Sequence, residues 1–133
     1  MQDQTLFTKI IHGDIPSHKI YEDEHTYAFL DIYPRQPGQV LVVPKAQIDH
    51  IWDLSHEDYH ALMSTAKKVA QRLRVAFKDK ERVAMIVEGL EVAHAHIKLF
   101  PFSTHEEFMN QPDMNSEPDH TALAELARSL SFS

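Results

Sequence analysis

The chain is best understood outward from one stretch, Val92-Ala93-His94-Ala95-His96-Ile97-Lys98-Leu99-Phe100-Pro101. Three polar residues, His94, His96 and Lys98, alternate there with apolar ones. Successive side chains of a β-strand point to opposite faces. A strand over residues 93–100 would therefore place the three polar side chains on one face and the apolar ones on a core. Two imidazoles and an ammonium on one face suit an anion such as phosphate.

The composition bounds the class of protein. The chain has 133 residues, 43% of them hydrophobic, and a formal net charge of −7. This length and apolar content predict one globular domain. The excess of acidic residues argues against a nucleic-acid polymer as partner, because such binders carry basic surfaces. It does not argue against a single nucleotide in a local pocket.

The cysteine count and the apolar runs narrow the setting further. With no cysteine in the chain, disulfides and thiolate metal sites are excluded. The N-terminus lacks the pattern of a signal peptide, and no apolar run approaches the ~20 residues of a membrane span. We therefore expect a cytoplasmic protein without a membrane partner.

Hydrophobic periodicity and turn residues predict the elements. The longest pattern is a helix over about residues 56–77, with Ser55 as N-cap and an apolar stripe at three- and four-residue steps. The other predicted segments are a helix at 5–12, strands at 19–22, 26–30, 39–43, 83–87 and 93–100, a helical turn within 46–52, an irregular arm at 103–118 and a last helix after Asp119. The predicted fold class is α+β, with an antiparallel sheet of about five strands, one long helix and shorter helices.

Three further blocks join the histidine stretch in a recognisable order: Leu6–Pro16, Ala28–Pro34 and Gly38–Lys45. Together they resemble the histidine-triad (HIT) superfamily of nucleotide hydrolases and transferases, in particular its Hint-like branch. The resemblance runs over about residues 5–102. It implies a single HIT-like domain over 1–133, with residues 103–133 forming a C-terminal arm and helix.

The resemblance also implies roles for individual residues. His96 stands at the position of the nucleophile, which would attack the α-phosphorus of a nucleotide and form a nucleotidyl-histidine. His94 would orient that nucleophile, and Asp31 would accept from the ribose hydroxyls. The apolar positions that would line the base pocket are Phe7, Ile10, Phe29, Leu30 and Ile32. A neutral imidazole is a suitable nucleophile near pH 7, and covalent catalysis divides a difficult displacement into two steps.

Three positions depart from the family pattern. Lys98 occupies the third triad position, where most members have histidine; it can bind phosphate but is poorly suited to shuttle a proton to the leaving group. Gln47 stands where a further histidine is frequent, and it can hydrogen-bond to the triad but cannot titrate. Glu91 stands where a hydroxyl often donates to phosphate, so its carboxylate must be protonated, turned away or paired with Lys98.

These residues leave three hypotheses. The first is a HIT-type phosphohydrolase or nucleotidyl transferase, which would act on AMP-type esters, phosphoramidates or dinucleoside polyphosphates. It would take a purine nucleotide as substrate, use no cofactor or metal, and form a homodimer whose sheet continues across the twofold axis. The second is a purine-nucleotide-binding module with weak or no activity. The third is a zinc protein using His94 and His96, which is disfavoured because a structural zinc site needs about four ligands.

Overall fold

A computed structural model describes residues 3–133. Four α-helices and one five-stranded sheet make up the regular structure, together with a short 3₁₀ turn at Ile51–Asp53. The helices are α1 (Leu6–Ile11), α2 (His56–Ala76), α3 (His105–Met109) and α4 (His120–Leu130), and the strands are β1 (Lys19–Glu22), β2 (Thr26–Leu30), β3 (Val40–Pro44), β4 (Arg82–Ile86) and β5 (Ile97–Phe102).

The sheet is antiparallel throughout, with the order β1-β2-β3-β5-β4. The predicted α+β fold with about five antiparallel strands is therefore confirmed. β3 and β5 are central neighbours, with Leu41 opposite Lys98 and Val42 opposite Ile97. This pairing brings the histidine stretch into the middle of the molecule, between segments that are distant along the chain.

The two faces of the sheet bury different side chains. On one face, α2 and α4 cover a large core whose fully buried members include Leu62, Leu73, Val42 and Ile97. α2 forms as predicted: the Ser55 hydroxyl accepts from the amide of Asp58 at its start, and the apolar stripe faces the sheet. On the other face, α1 packs on a smaller cluster consisting of Phe7, Ile10, Tyr27, Phe29, Leu41 and Val43.

β5 begins later than the sequence predicts. The prediction of a strand from residue 93 is wrong, since the strand covers only Ile97–Phe102 and both histidines precede it. The partner strand ends at Pro44, which has no amide hydrogen to extend the ladder. The amide of Ala95 instead donates to the Ile48 carbonyl at 2.7 Å. The alternation of side chains nevertheless survives, because Ala95 and Ile97 enter the α2-side core.

The C-terminal arm contains a helix that the sequence prediction left irregular. α3 begins with a capping box, in which the Thr104 hydroxyl accepts from the Glu107 amide and the Glu107 carboxylate accepts from the Thr104 amide. The Thr-x-x-Glu spacing is the signal that was overlooked. Phe108 then packs against Phe100 and Phe102 of β5. The last helix, with Asp119 as its N-cap, forms as predicted.

Within residues 3–133, none of the helices combines the length and apolar character that crossing a bilayer requires.

The loop between β2 and β3 depends on Gly38. Its φ of +93° lies in the left-handed region, and a Cβ built there would stand 2.7 Å from the ring of Phe77. Gly13 also has a positive φ, +83°, but a Cβ there would meet no atom within 4 Å. Substitutions at the two glycines therefore distinguish the cost of a positive φ from the cost of crowding against Phe77.

We predict that Gly13→Ala lowers the free energy of unfolding by about 1 kcal/mol, the cost of a positive φ in an L-residue. Gly38→Ala should lower it by a further ~1–3 kcal/mol because the methyl group overpacks against Phe77. Urea unfolding of both variants measures the difference. Equal losses would show that Phe77 yields without cost.

Candidate active site

A cavity of about 420 Å³ opens on the α1 side of the sheet, where β3 and β5 meet. Every site residue proposed from the sequence borders it except His94 and Gln47. Its lining residues are Leu6, Phe7, Ile10, Ile15, Pro16, Ser17, Phe29, Leu30, Asp31, Ile32, Tyr33, Arg35, Gln39, Leu41, Glu88, Glu91, Val92, His96, Lys98, Gln111, Pro112 and Met114. The cavity is therefore built from four segments of the chain, within residues 6–17, 29–41, 88–98 and 111–114.

His96 stands in the cavity wall with a defined proton arrangement. Its Nδ1 lies 2.8 Å from the carbonyl oxygen of His94. A carbonyl can only accept, so Nδ1 carries a proton and donates it. Within the described residues no hydrogen bond reaches Nε2, whose lone pair remains available. Burial lowers the pKa of His96, and the Lys98 charge lowers it further, so the ring is neutral near pH 7.

His94 lies behind His96 and does not border the cavity. It is fully buried, and its Nε2 donates to the Pro44 carbonyl at 2.8 Å. Its Nδ1 lies 2.7 Å from the Thr5 hydroxyl. Burial lowers the pKa of His94 as well. All three polar side chains lie on the α1 side of the sheet, where Phe7 contacts the rings of both histidines, but only His96 and Lys98 border the cavity. His94 contacts His96 through its backbone carbonyl.

Gln47 holds the N-terminal segment and makes no bond to either histidine ring. Its Oε1 accepts from the Thr5 amide at 2.9 Å and the Thr8 hydroxyl at 2.7 Å, and its Nε2 donates to the Asp3 carbonyl at 2.8 Å. The direct hydrogen bond to the triad that the sequence allows for Gln47 is not formed within residues 3–133. Gln47 reaches His94 only through Thr5.

Lys98 is paired with a carboxylate. Its ammonium donates to Glu88 at 2.7 Å, whereas Glu91 stands 4.0 Å away with its side chain 69% exposed. The same Glu88 oxygen lies 3.4 Å from the guanidinium of Arg35. The hydrogen bond from Lys98 lowers the pKa of Glu88. The expected counter-charge for Lys98 is thus supplied by Glu88 more closely than by Glu91.

Asp31 is oriented by its own loop. One carboxylate oxygen accepts from the Tyr33 amide at 2.9 Å, and the other accepts from the side-chain amide of Gln39 at 2.8 Å. Gln39 is almost wholly buried, and its backbone carbonyl accepts from the backbone amide of Asp31. Burial raises the pKa of Asp31, although the Tyr33 amide opposes the shift. A half-buried carboxylate at the cavity wall is available to a ligand with hydroxyl donors.

The proposed base-pocket residues divide between the two faces. Phe7, Ile10 and Phe29 belong to the α1-side cluster and also border the cavity. Ile32 joins them from the loop after β2. Leu30 borders the cavity too, but its side chain belongs to the α2-side core, as its alternating position in β2 requires. Its side chain is therefore not a free wall of the pocket.

Among the cavity residues that the sequence reasoning missed are Arg35, Gln39 and Glu88. Glu88 could have been found, because Ile86 pairs with Lys98 in the antiparallel register and a residue two positions on returns to the same face. No periodic signal marks Arg35 or Gln39, which lie in or next to an irregular loop. The arm residues Gln111, Pro112 and Met114 were likewise unassigned.

Residues 3–133 contain no cluster of three or more histidine, aspartate or glutamate side chains arranged to hold a metal ion. The zinc hypothesis therefore gains no support from this geometry. The chemistry that the cavity can perform rests on a free imidazole nitrogen, a carboxylate and two cations.

Known proteins resemble this chain in sequence and in structure. The family model of the HIT domain matches residues 12–105. The chain is 36% identical over 105 residues to the purine nucleoside phosphoramidase of Escherichia coli K12, covering 74% of this chain and 87% of that protein. It is 33% identical over 96 residues to the adenosine 5′-monophosphoramidase of Saccharomyces cerevisiae, covering 72% and 61% of the two chains.

A solved structure agrees over nearly the full length. The crystal structure of a HIT-like protein involved in cell-cycle regulation from Bartonella henselae superposes with a TM-score of 0.84, at 25% identity, covering 98% of this chain and 96% of that one. The family model spans all five strands of the sheet. This chain belongs to the HIT domain family.

Proposed function

We propose that the protein is a HIT-type nucleotide phosphohydrolase or nucleotidyl transferase of the Hint-like branch, acting on the α-phosphate of AMP-type substrates. The observation that carries the proposal is His96: its Nδ1 donates to the His94 carbonyl, and its Nε2 is left free at the cavity wall. The phosphoramidase names of two relatives point to the same reaction class. The substrate would be a purine nucleotide.

The chemistry proceeds in two displacements. His96 Nε2 attacks the α-phosphorus, so that a nitrogen–phosphorus bond forms while the bond to the leaving group breaks. A water molecule then attacks the same phosphorus, the bond to His96 breaks, and a nucleoside monophosphate leaves. Neutral imidazole is the nucleophile of the first step. In the adduct the ring, still protonated at Nδ1, carries a positive charge, and it leaves as neutral imidazole in the second step.

The other cavity residues would bind and orient the nucleotide. Asp31 would accept from the ribose hydroxyls, held in position by Gln39. Phe7, Ile10, Phe29 and Ile32 would enclose the base, for which an apolar wall is suitable. His94 would position His96 through its carbonyl. Gln47 would act indirectly, through its hydrogen bonds to the N-terminal segment.

We also propose that residues 1–133 form a single domain.

Lys98 would occupy the third triad position and act electrostatically. An ammonium there offsets the negative charge that develops on the transferring phosphoryl group. In the free protein that charge is engaged by Glu88. Arg35, on the other side of Glu88, is the second cation that phosphate could reach. Substrate binding would therefore compete with Glu88 for both cations.

The balance of charges favours substrates with a short phosphate group. Three carboxylates, Asp31, Glu88 and Glu91, border the cavity together with two cations, Arg35 and Lys98. Each further phosphate of a dinucleoside polyphosphate adds negative charge beside this acidic set. A phosphoramidate presents a single phosphorus and releases an amine. We therefore propose phosphoramidates as preferred substrates over polyphosphates.

A second candidate function is a purine-nucleotide-binding module with little turnover. It is favoured by the close pairing of Lys98 with Glu88, which leaves the leaving group without an evident titratable donor. The same cavity would bind AMP but would release it slowly or without chemistry. The two functions differ only in whether His96 becomes modified.

The first prediction concerns His96. With adenosine 5′-phosphoramidate as probe, we expect AMP release and an adenylyl adduct on His96, detected by intact and peptide mass spectrometry after acid-free quenching. His96→Asn, which retains an amide donor for the His94 carbonyl, should lose about 10³-fold or more in kcat/KM. His60→Ala, at an exposed histidine of α2, is the matched control and should leave the rate unchanged.

Equal turnover by the wild-type protein and His96→Asn would remove His96 as nucleophile. Tight AMP binding by calorimetry without turnover or adduct would favour the binding module. If neither binding nor turnover occurs with adenine and guanine nucleotides, both functions are wrong.

The second prediction concerns the competition for Lys98. Glu88→Gln removes the close carboxylate and should tighten AMP binding by roughly 3- to 10-fold, since both cations become available to phosphate. Glu91→Gln removes the same charge from a largely exposed side chain 4.0 Å from Lys98, where solvent screens it, and should change the affinity little. Isothermal titration at two salt concentrations measures both. Weaker binding by Glu88→Gln would mean that Glu88 positions Lys98 instead of competing for it.

The homodimer is also part of the proposal. β4 is an edge strand, and its Met85 side chain is 52% exposed although it lies on the α2 face of the sheet. Val75 of α2 and Val87 just after β4 are exposed as well. An open edge beside apolar side chains is a surface that a second copy can cover. The cytoplasmic location and the absence of nucleic-acid and membrane partners stay predictions.

Our third prediction is that Met85→Lys shifts the protein from dimer to monomer in light scattering coupled to size-exclusion chromatography. Met109→Lys, at an equally exposed methionine of α3 (54%), is the control and should leave the dimer intact. A monomeric wild-type protein at micromolar concentration, or a dimer that survives Met85→Lys, would contradict an interface at β4.

A further inference from the structure

A network of hydrogen bonds behind His96 joins Gln47, the start of α1 and His94. It connects Gln47 to Thr8 at 2.7 Å, Gln47 to the amide of Thr5 at 2.9 Å, and the Thr5 hydroxyl to Nδ1 of His94 at 2.7 Å. Thr8 and His94 are buried. In the proposed function Gln47 acts only through the N-terminal segment and His94 only through its carbonyl, and Thr5 and Thr8 have no role there. The network nevertheless includes His94, whose carbonyl orients the nucleophile.

The hydrogens available to these groups assign the bonds. The Pro44 carbonyl can only accept, so His94 carries a proton on Nε2. In the neutral ring Nδ1 is then an acceptor. The single hydroxyl hydrogen of Thr5 has two acceptors within reach, His94 Nδ1 at 2.7 Å and the Thr8 hydroxyl oxygen at 3.2 Å, and we assign it to the shorter bond. The Thr8 hydroxyl donates to Gln47 Oε1, which as a carbonyl oxygen only accepts. The Thr5 oxygen still accepts from the Thr8 amide as the N-cap of α1.

We propose that Thr5 is a positioning residue: its hydroxyl keeps His94 neutral with the proton on Nε2, so that the His94 carbonyl orients His96 and no positive charge stands beside the nucleophile. The inference deepens the proposed function and rests on His96 as its nucleophile. Gln47 and Thr8 contribute by holding Thr5 in register. The N-terminal segment is thereby part of the machinery and not only a cover for the sheet.

The groups that face His94 leave this role to Thr5. His96 is the titratable neighbour that acts on its charge. From α1, Phe7 presents the edge of an apolar ring, with centroids 5.7 Å apart. Lys45 follows Pro44 but is engaged by Glu22 at 2.8 Å. Among the described residues, no carboxylate hydrogen-bonds to the ring of His94. Burial therefore favours the neutral ring, and the Thr5 hydroxyl is the partner that completes it at Nδ1.

Two nearly isosteric substitutions separate positioning from helix capping. Asparagine and aspartate both cap helices well, so either should preserve the start of α1. The amide of Thr5→Asn can still donate to His94 Nδ1. The carboxylate of Thr5→Asp can only accept, and it favours the imidazolium form of His94. Thr5→Ser is the conservative variant that keeps both the hydroxyl donor and the cap.

The measurement is the titration of His94 in the substrate-free protein, by ¹H–¹⁵N spectra of labelled imidazoles. The His94 signals are assigned by their loss in His94→Asn. We expect protonated Nε2 and bare Nδ1 in the wild type, Thr5→Ser and Thr5→Asn. In Thr5→Asp the titration should move up by about one pH unit or more. Adenylyl transfer to His96 should slow at neutral pH in Thr5→Asp alone and recover in part as the pH rises.

Two results would overturn the proposal: an unchanged His94 titration in Thr5→Asp, or a transfer rate in Thr5→Asp equal to that of Thr5→Asn. Matching denaturation midpoints for the two variants show that the cap is intact in both. The spectra require no substrate. An inactive wild-type protein with the expected titrations would therefore contradict the proposed function and leave the assignment of the Thr5 hydroxyl standing.

Discussion

The hydrogen bond from His94 Nε2 to the Pro44 carbonyl is the contact on which the rest of the site depends. It fixes the end of β3 to the segment that precedes β5, at the point where the ladder between the strands has stopped. The fixed ring determines where the His94 carbonyl lies, and the carbonyl determines how His96 is turned. Because the ring is wholly buried, an unpaired nitrogen there would carry the full cost of desolvation.

The fold was largely predictable because its elements carry strong local signals. The long stripe of α2, the β-branched run of β3 and the Ser55 cap each indicate one structure. The boundary of β5 was not predictable from alternation, because its true start depends on a proline in another strand and on the carbonyl of Ile48. α3 was overlooked although its capping box at Thr104 and Glu107 is a local signal.

The site divides in the same way. Residues supplied by an ordered set of motifs, such as Asp31 and His96, line the cavity as expected. Glu88, Arg35 and Gln39 act through contacts between segments that are distant along the chain, and a pattern within one segment carries no information about such contacts. Gln47 depends on distant contacts as well: its place in the motif allows a bond to the triad, whereas the fold pairs its side chain with Thr5 and Thr8.

Two hydrogen bonds join the end of α3 to the loop after β2, and they bear on the order in which the molecule folds. Asn110 donates to the Arg35 carbonyl at 2.7 Å, and Gln36 donates to the Glu107 carbonyl at 3.1 Å. One wall of the cavity is thereby closed by residues of the last third of the chain, while another is closed by residues 6–10. Contacts between residues so far apart in the chain close large loops, which costs conformational entropy, and they therefore form late. A nucleotide that binds only the finished cavity thus adds its binding free energy to the docking of both segments.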